Sequence, residues 1–298
     1  MTTQHTPDAL ARHFEEQRGQ LRGLAYRMLG SLNDADDAVQ EAWLRLSRSD
    51  ADGIDNLAAW LRTVVSRICL DMLRSRTARR EEFVGHLPEH VWDEGDGASP
   101  ESEAVLVESV GRALLVVLGT LSPAERVAFV LHDLFAVPFG EIAPIVERTE
   151  ATTKKLASRA RRRIQGAPTL PTEELDHQRH VVDAFLTAAR DGDLNALLAV
   201  LAPDVVRHAD PITLPAGAPA QSHGADTVAR ETVLLRRNAR FAATALLDGR
   251  VGLVVAPRGR LLLALAVTVE GDRVATYEVI ADPERLAELE VAVLDNAS

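Results

Sequence analysis

Apolar positions recur with helical spacing through the first part of the chain. Leu10, Phe14, Leu21, Leu24, Ala25, Met28 and Leu29 form one stripe, closed by Gly30 as a C-terminal stop. Asn33 is the expected N-cap of a second helix running to about Ser47, with Asp34, Asp36 and Asp37 in its first turn, where the helix dipole favours anions. After the polar turn Ser47–Gly53, Leu57, Trp60, Leu61, Val64, Val65, Ile68, Cys69, Met72 and Leu73 keep the 3, 4, 7, 8 spacing. This predicts a helix over Leu57–Arg80, with Arg62, Arg67 and Arg74 off the stripe. Residues 81–102, rich in acid, Gly and Pro, read as a linker.

Helical patterning resumes at Val105 and persists to Ile164. Ser122 as N-cap, Pro123 at the first helical position and Glu125 at the third start one helix, with Val127, Val130, Leu131 and Leu134 as its buried face. A short helix, Phe139–Val146, precedes a tight turn at Glu147-Arg148. Thr149 then caps a helix with Leu156, Ala160 and Ile164 inward and Thr152, Lys155, Arg159 and Arg162 opposite. Two short helices, a tight turn and a cationic second helix fit a helix-turn-helix, whose second helix can enter a major groove. A solvated basic face on an ordinary bundle helix is the plainer alternative for that one helix.

Beyond Glu173 the pattern changes. One amphipathic helix (Val181, Val182, Phe185, Leu186, Ala189) leads into Leu194–Leu201, and strand signals follow at Val251–Ala256, Leu261–Val269 and Arg273–Ile280. Their separators, Pro257–Arg260 and Glu270–Asp272, predict hairpin turns. Helices first and an antiparallel sheet later describe an α+β domain. The expected fold class is multidomain: two all-α domains over 8–80 and 103–166, then an α+β domain over 176–296.

Composition sharpens this division. The 298 residues carry 33 Lys+Arg against 44 Asp+Glu, a formal net charge of −11. The acidity is uneven. Residues 57–80 hold six arginines and one acid, residues 148–163 seven basic side chains and one acid, and residues 81–110 nine acids and no base. Two cationic stretches flanking an anionic one suit a partner of nucleic acid despite the negative total. The single cysteine, Cys69, excludes a disulfide framework, fits a reducing compartment, and reads as a small buried hydrophobe. No apolar run reaches the roughly 18–20 residues of a membrane span. The polar start, Met1–Asp8, is unlike a secretory signal, so a cytoplasmic location is expected.

Specific segments resemble a known family. Leu121–Leu131, Glu141-Ile142-Ala143 and Ala157–Arg163 resemble region 4 of bacterial extracytoplasmic-function (ECF) sigma factors. Asp34–Arg45 resembles the acidic region 2 helix of that family, and Ala59-Trp60-Leu61 with Asp71–Arg76 its promoter-melting helix. The resemblance covers about residues 10–165. Three residues depart from it: Pro138 stands where a capping Ser or Thr is common, Glu147 replaces a common turn glycine, and Pro144 lies inside the short helix.

The resemblance implies an alternative sigma factor, not itself an enzyme, with core RNA polymerase and promoter DNA as partners. Region 2 would dock on the β′ clamp helices through Asp36, Asp37, Gln40, Glu41 and Arg45, and region 4 on the β flap. Thr152, Thr153, Lys155, Arg159 and Arg162 would read the −35 element. Asn56, Arg62, Arg67, Arg74 and Arg76 would take the melted −10 strand, with arginines tracking its backbone. Trp60 lies on the apolar stripe and reads as core rather than as a stacking platform.

Further segments, Gln178–Leu186, Asp191–Leu198, Leu201–Val206 and Ala281–Leu286, resemble a SnoaL-like extension, a cone of helices on a curved sheet with an internal pocket. His208 and Asp210 are the candidate pocket residues, with His223 and Asp226 also available. Such a domain could tune promoter opening, hold a small ligand or, least in keeping with its Pro- and Gly-rich segment 210–224, catalyse. No metal or cofactor is expected, and the free chain is expected to be a monomer. Two rivals stay open at this point: a ligand-sensing helix-turn-helix repressor or activator, and a SnoaL-type isomerase or hydrolase with a DNA-binding appendage.

Overall fold

The computed structural model describes residues 7–49, 54–82, 111–213 and 219–294. Most of the expected linker at 81–102 lies outside them. The chain divides into two compact units, Met1–Val110 with Thr120–Arg161, and Gly111–Gly119 with Arg162–Ser298.

Three helices open the first unit: α1 (Pro7–Leu29), α2 (Leu32–Arg48) and α3 (Leu57–Glu82). The α1 stripe is buried throughout, and Gly30, at φ 74, ends the helix with its N–H on the Tyr26 carbonyl. The N-cap of α2 is Ser31, not Asn33. Ser31 is extended and its Oγ accepts from the Asp34 N–H, which places Asn33 inside the first turn. Along α3, Leu61, Val65, Ile68, Cys69 and Leu73 are buried together with Ser66 and Leu70, which the stripe had not included. Trp60, expected in the core, is only half-buried.

The rest of this unit is built from short helices. In α5 (Pro123–Phe129), which follows α4 (Arg112–Thr120) in sequence, Glu125 accepts from the Ser122 N–H at 3.2 Å, as the capping pattern predicts. A π-helical turn over Val130–Leu134 continues it. The wider turn rotates the register, so Leu134, expected on the buried face, is 39% exposed. Next, α6 (Phe139–Ile142) stops two residues before Pro144, earlier than the expected Val146, because proline has no N–H to carry the helix onward. A turn then leads into α7 (Glu150–Gln165), which starts in this unit.

The second unit packs α8 (Thr172–Asp191), α9 (Leu194–Val200), α10 (Ala225–Leu234) and the short α11 (Arg236–Ala239) against a seven-stranded sheet. Its strands are β1 (Leu201–Ala209), β2 (Gln221–His223), β3 (Ala242–Leu247), β4 (Arg250–Val255), β5 (Leu263–Glu270), β6 (Arg273–Ile280) and β7 (Val291–Ala292), with α12 (Pro283–Glu288) before the last. Their order is β2-β1-β6-β5-β4-β3-β7, antiparallel except where β1 runs parallel to β6. This is the α+β architecture that the resemblance to a SnoaL-like extension implies. Strand signals in the sequence begin only at Val251, so β1, β2 and β3 are added by the structure, although the Asp248-Gly249 pair, at φ 50 and 77, makes the two-residue turn between β3 and β4. Phe185, Leu197, Val205, Val228, Leu253 and Val274 are among the residues of its core.

Candidate nucleic-acid interface

The turn between α6 and α7 sets the helix-turn-helix. Arg148 donates its N–H to the Ala143 carbonyl at 3.0 Å, and Glu147 takes the left-handed conformation at φ 56. Thr149 caps α7, its Oγ1 accepting from the Thr152 N–H. Behind the turn, His132 stacks on Phe139 with ring centroids 3.8 Å apart, which fixes α6 against the preceding helix.

This capping fixes which face of α7 points outward. Lys155, Arg159 and Arg162 are exposed and Thr152 is half-buried, while Ala157, Ala160 and Ile164 face in. Thr153 does not belong with the outward-facing group. It is 0% exposed and its hydroxyl donates to the Thr149 carbonyl, because it lies one position off the exposed row and one turn from Ala157. Arg161, from the same basic run, is held by Asp133 at 2.6 Å.

Around α3 the five residues assigned to the melted strand separate into four kinds. Asn56 caps the helix, its Oδ1 accepting from the Ala59 N–H at 3.0 Å. Arg76 is used internally: it donates to the Leu29 carbonyl and pairs with Asp34. Arg67 is exposed, and no ion pair to it is found among the described residues. Arg62 and Arg74 pair with Glu141 and Glu147 of the helix-turn-helix, each at 3.1 Å.

The residues expected to meet polymerase lie on α2. Asp36 is clamped by Arg22 through two bonds of 2.7 and 3.0 Å, so its charge is already matched. Glu41 and Arg45 form an i, i+4 pair at 2.9 Å, and Asp37 and Gln40 are exposed. Cys69 is buried, which pushes its thiol up to about 12 against the pull of Arg126 and Arg76. It stays a neutral thiol, as a small core residue would.

In the second unit the candidate pocket pair, His208 and Asp210, does not come together in the interior. His208 points out from the exposed side of β1. Asp210 lies just past the strand and accepts from the Ala281 and Asp282 amides at 2.9 and 3.0 Å and from Arg285 at 2.7 Å. Partial burial pulls its pKa up, but the Asp282 and Ala281 amides and Arg285 outweigh this and hold the carboxyl below its ordinary value. It is a clasp between β1 and the segment that starts α12. His223 and Asp226 are exposed as well, Asp226 paired with Arg230 at 2.9 Å.

The interior polar group lies elsewhere, on residues absent from the expected pocket. Arg207, 7% exposed, faces the helices from β1 and donates to Ser222 at 2.7 Å and Glu231 at 2.9 Å. Its neighbour across the sheet, Tyr277, shares a hydrogen bond with Thr232 at 3.1 Å, and burial raises its pKa. A signal for Arg207 existed. It lies in phase with Val205 and Ala209, so an arginine on the buried side of a strand should have been read there. Among the described residues no cluster could hold a metal ion, and no helix is long and apolar enough to cross a membrane.

Comparison with known proteins identifies the families to which these segments are similar. Residues 13–79 match the Sigma-70 region 2 family and residues 111–164 the Sigma-70 region 4 family. The chain is 38% identical over 286 residues to the ECF RNA polymerase sigma factor SigJ of Mycobacterium tuberculosis, covering 91% of each. To the Probable ECF RNA polymerase sigma factor SigI of the same organism it is 35% identical over 294 residues, covering 95% of this chain and 96% of that one. Among solved structures it resembles the M. tuberculosis SigJ crystal structure at 33% identity and a TM-score of 0.45, covering 93% of this chain and 98% of that one. With regions 2 and 4 in order and relatives similar over nearly its whole length, the chain belongs to the extracytoplasmic-function sigma factors of RNA polymerase.

Proposed function

We propose that this chain reads the −35 element with the exposed face of α7 and the melted −10 strand with α3, while α2 holds core polymerase. The observation that carries the reading is the face of α7. Lys155, Arg159 and Arg162 are exposed and, among the described residues, in no ion pair, whereas the neighbouring Arg161 is neutralised by Asp133. Free cations in one row on a helix after a tight turn match phosphates, with Thr152 placed toward base edges.

On α3, Arg67 and the outward sides of Arg62 and Arg74 are the strand contacts, with the amide of Asn56 at the helix start. Arg76, fixed on Leu29 and Asp34, shapes region 2 instead of touching DNA. Asp37, Gln40, Glu41 and Arg45 form the surface for the β′ clamp helices, with Asp36 holding α1 to α2 through Arg22. Region 4 meets the β flap, and the free chain is a monomer.

The C-terminal domain is regulatory, and the chain performs no catalysis of its own. Asp210 is kept ionised and fully engaged, so it is poorly placed to move a proton near neutral pH. A small ligand of this domain would meet Arg207, Glu231 and Tyr277 rather than His208 and Asp210. Footprinting of the chain with core polymerase on the DNA upstream of its own gene tests the assignment. Protection at −35 lost in Arg159→Ala/Arg162→Ala, with polymerase binding retained, is the expected result; unchanged protection contradicts it.

A further inference from the structure

Two of the outward arginines of α3 are not simply solvated. The Arg62 Nη2 donates to the Glu141 Oε2 and the Arg74 Nη2 to the Glu147 Oε2, each at 3.1 Å. The two arginines are twelve residues apart, about 18 Å along the helix. Their partners sit on one structural device: Glu141 on the first helix of the helix-turn-helix, Glu147 in its turn.

The contact has a second layer. Arg126 of α5, 7% exposed, donates to the Arg27 carbonyl of α1 at 3.5 Å, and the Arg27 guanidinium lies over the Phe135 ring at 5.5 Å. The helix-turn-helix side of the unit is therefore docked on the region 2 side by packing as well as by charge.

Glu147 supplies a third observation. Glycine and asparagine take its left-handed conformation at least cost, and glutamate does not. A carboxylate stands where local geometry favours glycine, and that carboxylate meets Arg74. The DNA-reading face of α7 is left out of the contact: Lys155, Arg159 and Arg162 stay exposed.

We propose that Glu141 and Glu147 form an autoinhibitory contact that occupies the −10 arginines of α3 in the free chain and is released when core polymerase draws regions 2 and 4 apart. The inference rests on the assignment of Arg62 and Arg74 to the −10 strand. It makes the two DNA functions unequal in the free chain, with duplex reading open and single-strand capture closed. Exposed ion pairs are individually weak, so the closure yields to the larger polymerase surface.

The test measures binding of the full-length free chain to a fluorescently labelled oligo(dT) strand at fixed salt. Glu141→Gln/Glu147→Gln is expected to tighten binding about three- to tenfold. Glu147→Gly, which relaxes the turn while removing one of the carboxylates, is expected to tighten it too. Glu173→Gln/Glu288→Gln removes the same charge from exposed positions of the second unit and should change binding less than about twofold. With core polymerase bound, the gain should vanish. Equal tightening by the control pair, no tightening by either pair, or a gain that persists on core overturns the autoinhibitory contact. Arg62→Ala/Arg74→Ala separates this from the underlying assignment. If it leaves strand binding by the polymerase-bound chain intact, the −10 assignment fails and takes the autoinhibition with it. If it weakens that binding while the glutamate variants change nothing, autoinhibition alone fails.

Discussion

Val293, just past the last strand, donates its backbone N–H to the carbonyl of Ile164, in the last turn of α7, at 2.7 Å. That carbonyl is one of the four a helix leaves unsatisfied at its C-terminus, and here the end of the C-terminal domain satisfies it. Nearby, Gly166 sits close to Ala292 at φ 62, where a Cβ would come within 2.4 Å of the Ala292 Cβ. The last turn of α7 thus belongs to the second unit, whose final residues satisfy its carbonyl.

A chain cut after Gly166 is therefore not merely sigma regions without an extension. It loses the partner of Ile164, and α4 loses Phe241, over which Arg112 lies at 5.7 Å. We expect the truncated chain to show frayed amide exchange in the last turn of α7 and weaker −35 binding. Val293→Pro, which removes the donor and also fixes φ next to the paired Ala292, should cost at least about 1 kcal/mol and lower the melting temperature by a few degrees or more. Protection of α7 amides that is unchanged in both variants would show that this bond does not matter.

The exposed row of α7 carries a separate expectation. Arg159→Ala/Arg162→Ala should weaken duplex binding at least tenfold and reduce the salt slope by about two charges. Thr153→Ala, by contrast, should lower stability by about 1 kcal/mol and leave sequence preference alone, since that side chain is buried. Binding isotherms at several salt concentrations check both.

Arg207 and Glu231 should behave as a coupled pair. Glu231→Gln leaves a buried guanidinium without its counter-charge, and we expect a loss of about 2–3 kcal/mol, discounted from the fully buried case because Glu231 is partly exposed. Arg207→Met/Glu231→Leu should lose less than the two single substitutions together. Urea denaturation of the four proteins measures the coupling; strict additivity would show that the two groups act independently.

The Asp210 clasp predicts an acid limit to the stability of the C-terminal domain. Its folded pKa lies below the ordinary 3.8, so its contribution is present above that value and is lost as pH falls through the lower folded one. Asp210→Asn should flatten the acid limb of the stability profile and leave the region near neutral pH with a constant loss. An acid limb identical in the variant would remove Asp210 as its source.

Much of this was legible in the residues. The stripes on α1 and α3, the Ser122–Glu125 start of α5 and the cationic face of α7 follow directly from spacing and capping chemistry. What escaped depended on long-range partners or on local irregularity. Nothing in the residues near Leu134 announces the π-helical turn that exposes it. Thr153 resembled its neighbour Thr152 until the cap fixed which of them points inward. Asp210 reads as a candidate pocket residue in the sequence because the residues of its clasp lie some seventy positions away. Arg62 and Arg74 were rightly placed off the apolar stripe, but their carboxylate partners lie more than seventy residues along the chain.

The central claim is that this chain directs promoter-specific initiation by core polymerase. Run-off transcription with purified core on the DNA upstream of its own gene, paired with a direct core-binding assay, tests it most directly. The account predicts stable association with core and a discrete transcript that disappears in Arg159→Ala/Arg162→Ala while that association remains. No association with core, together with salt-sensitive duplex binding by the chain alone, would contradict it.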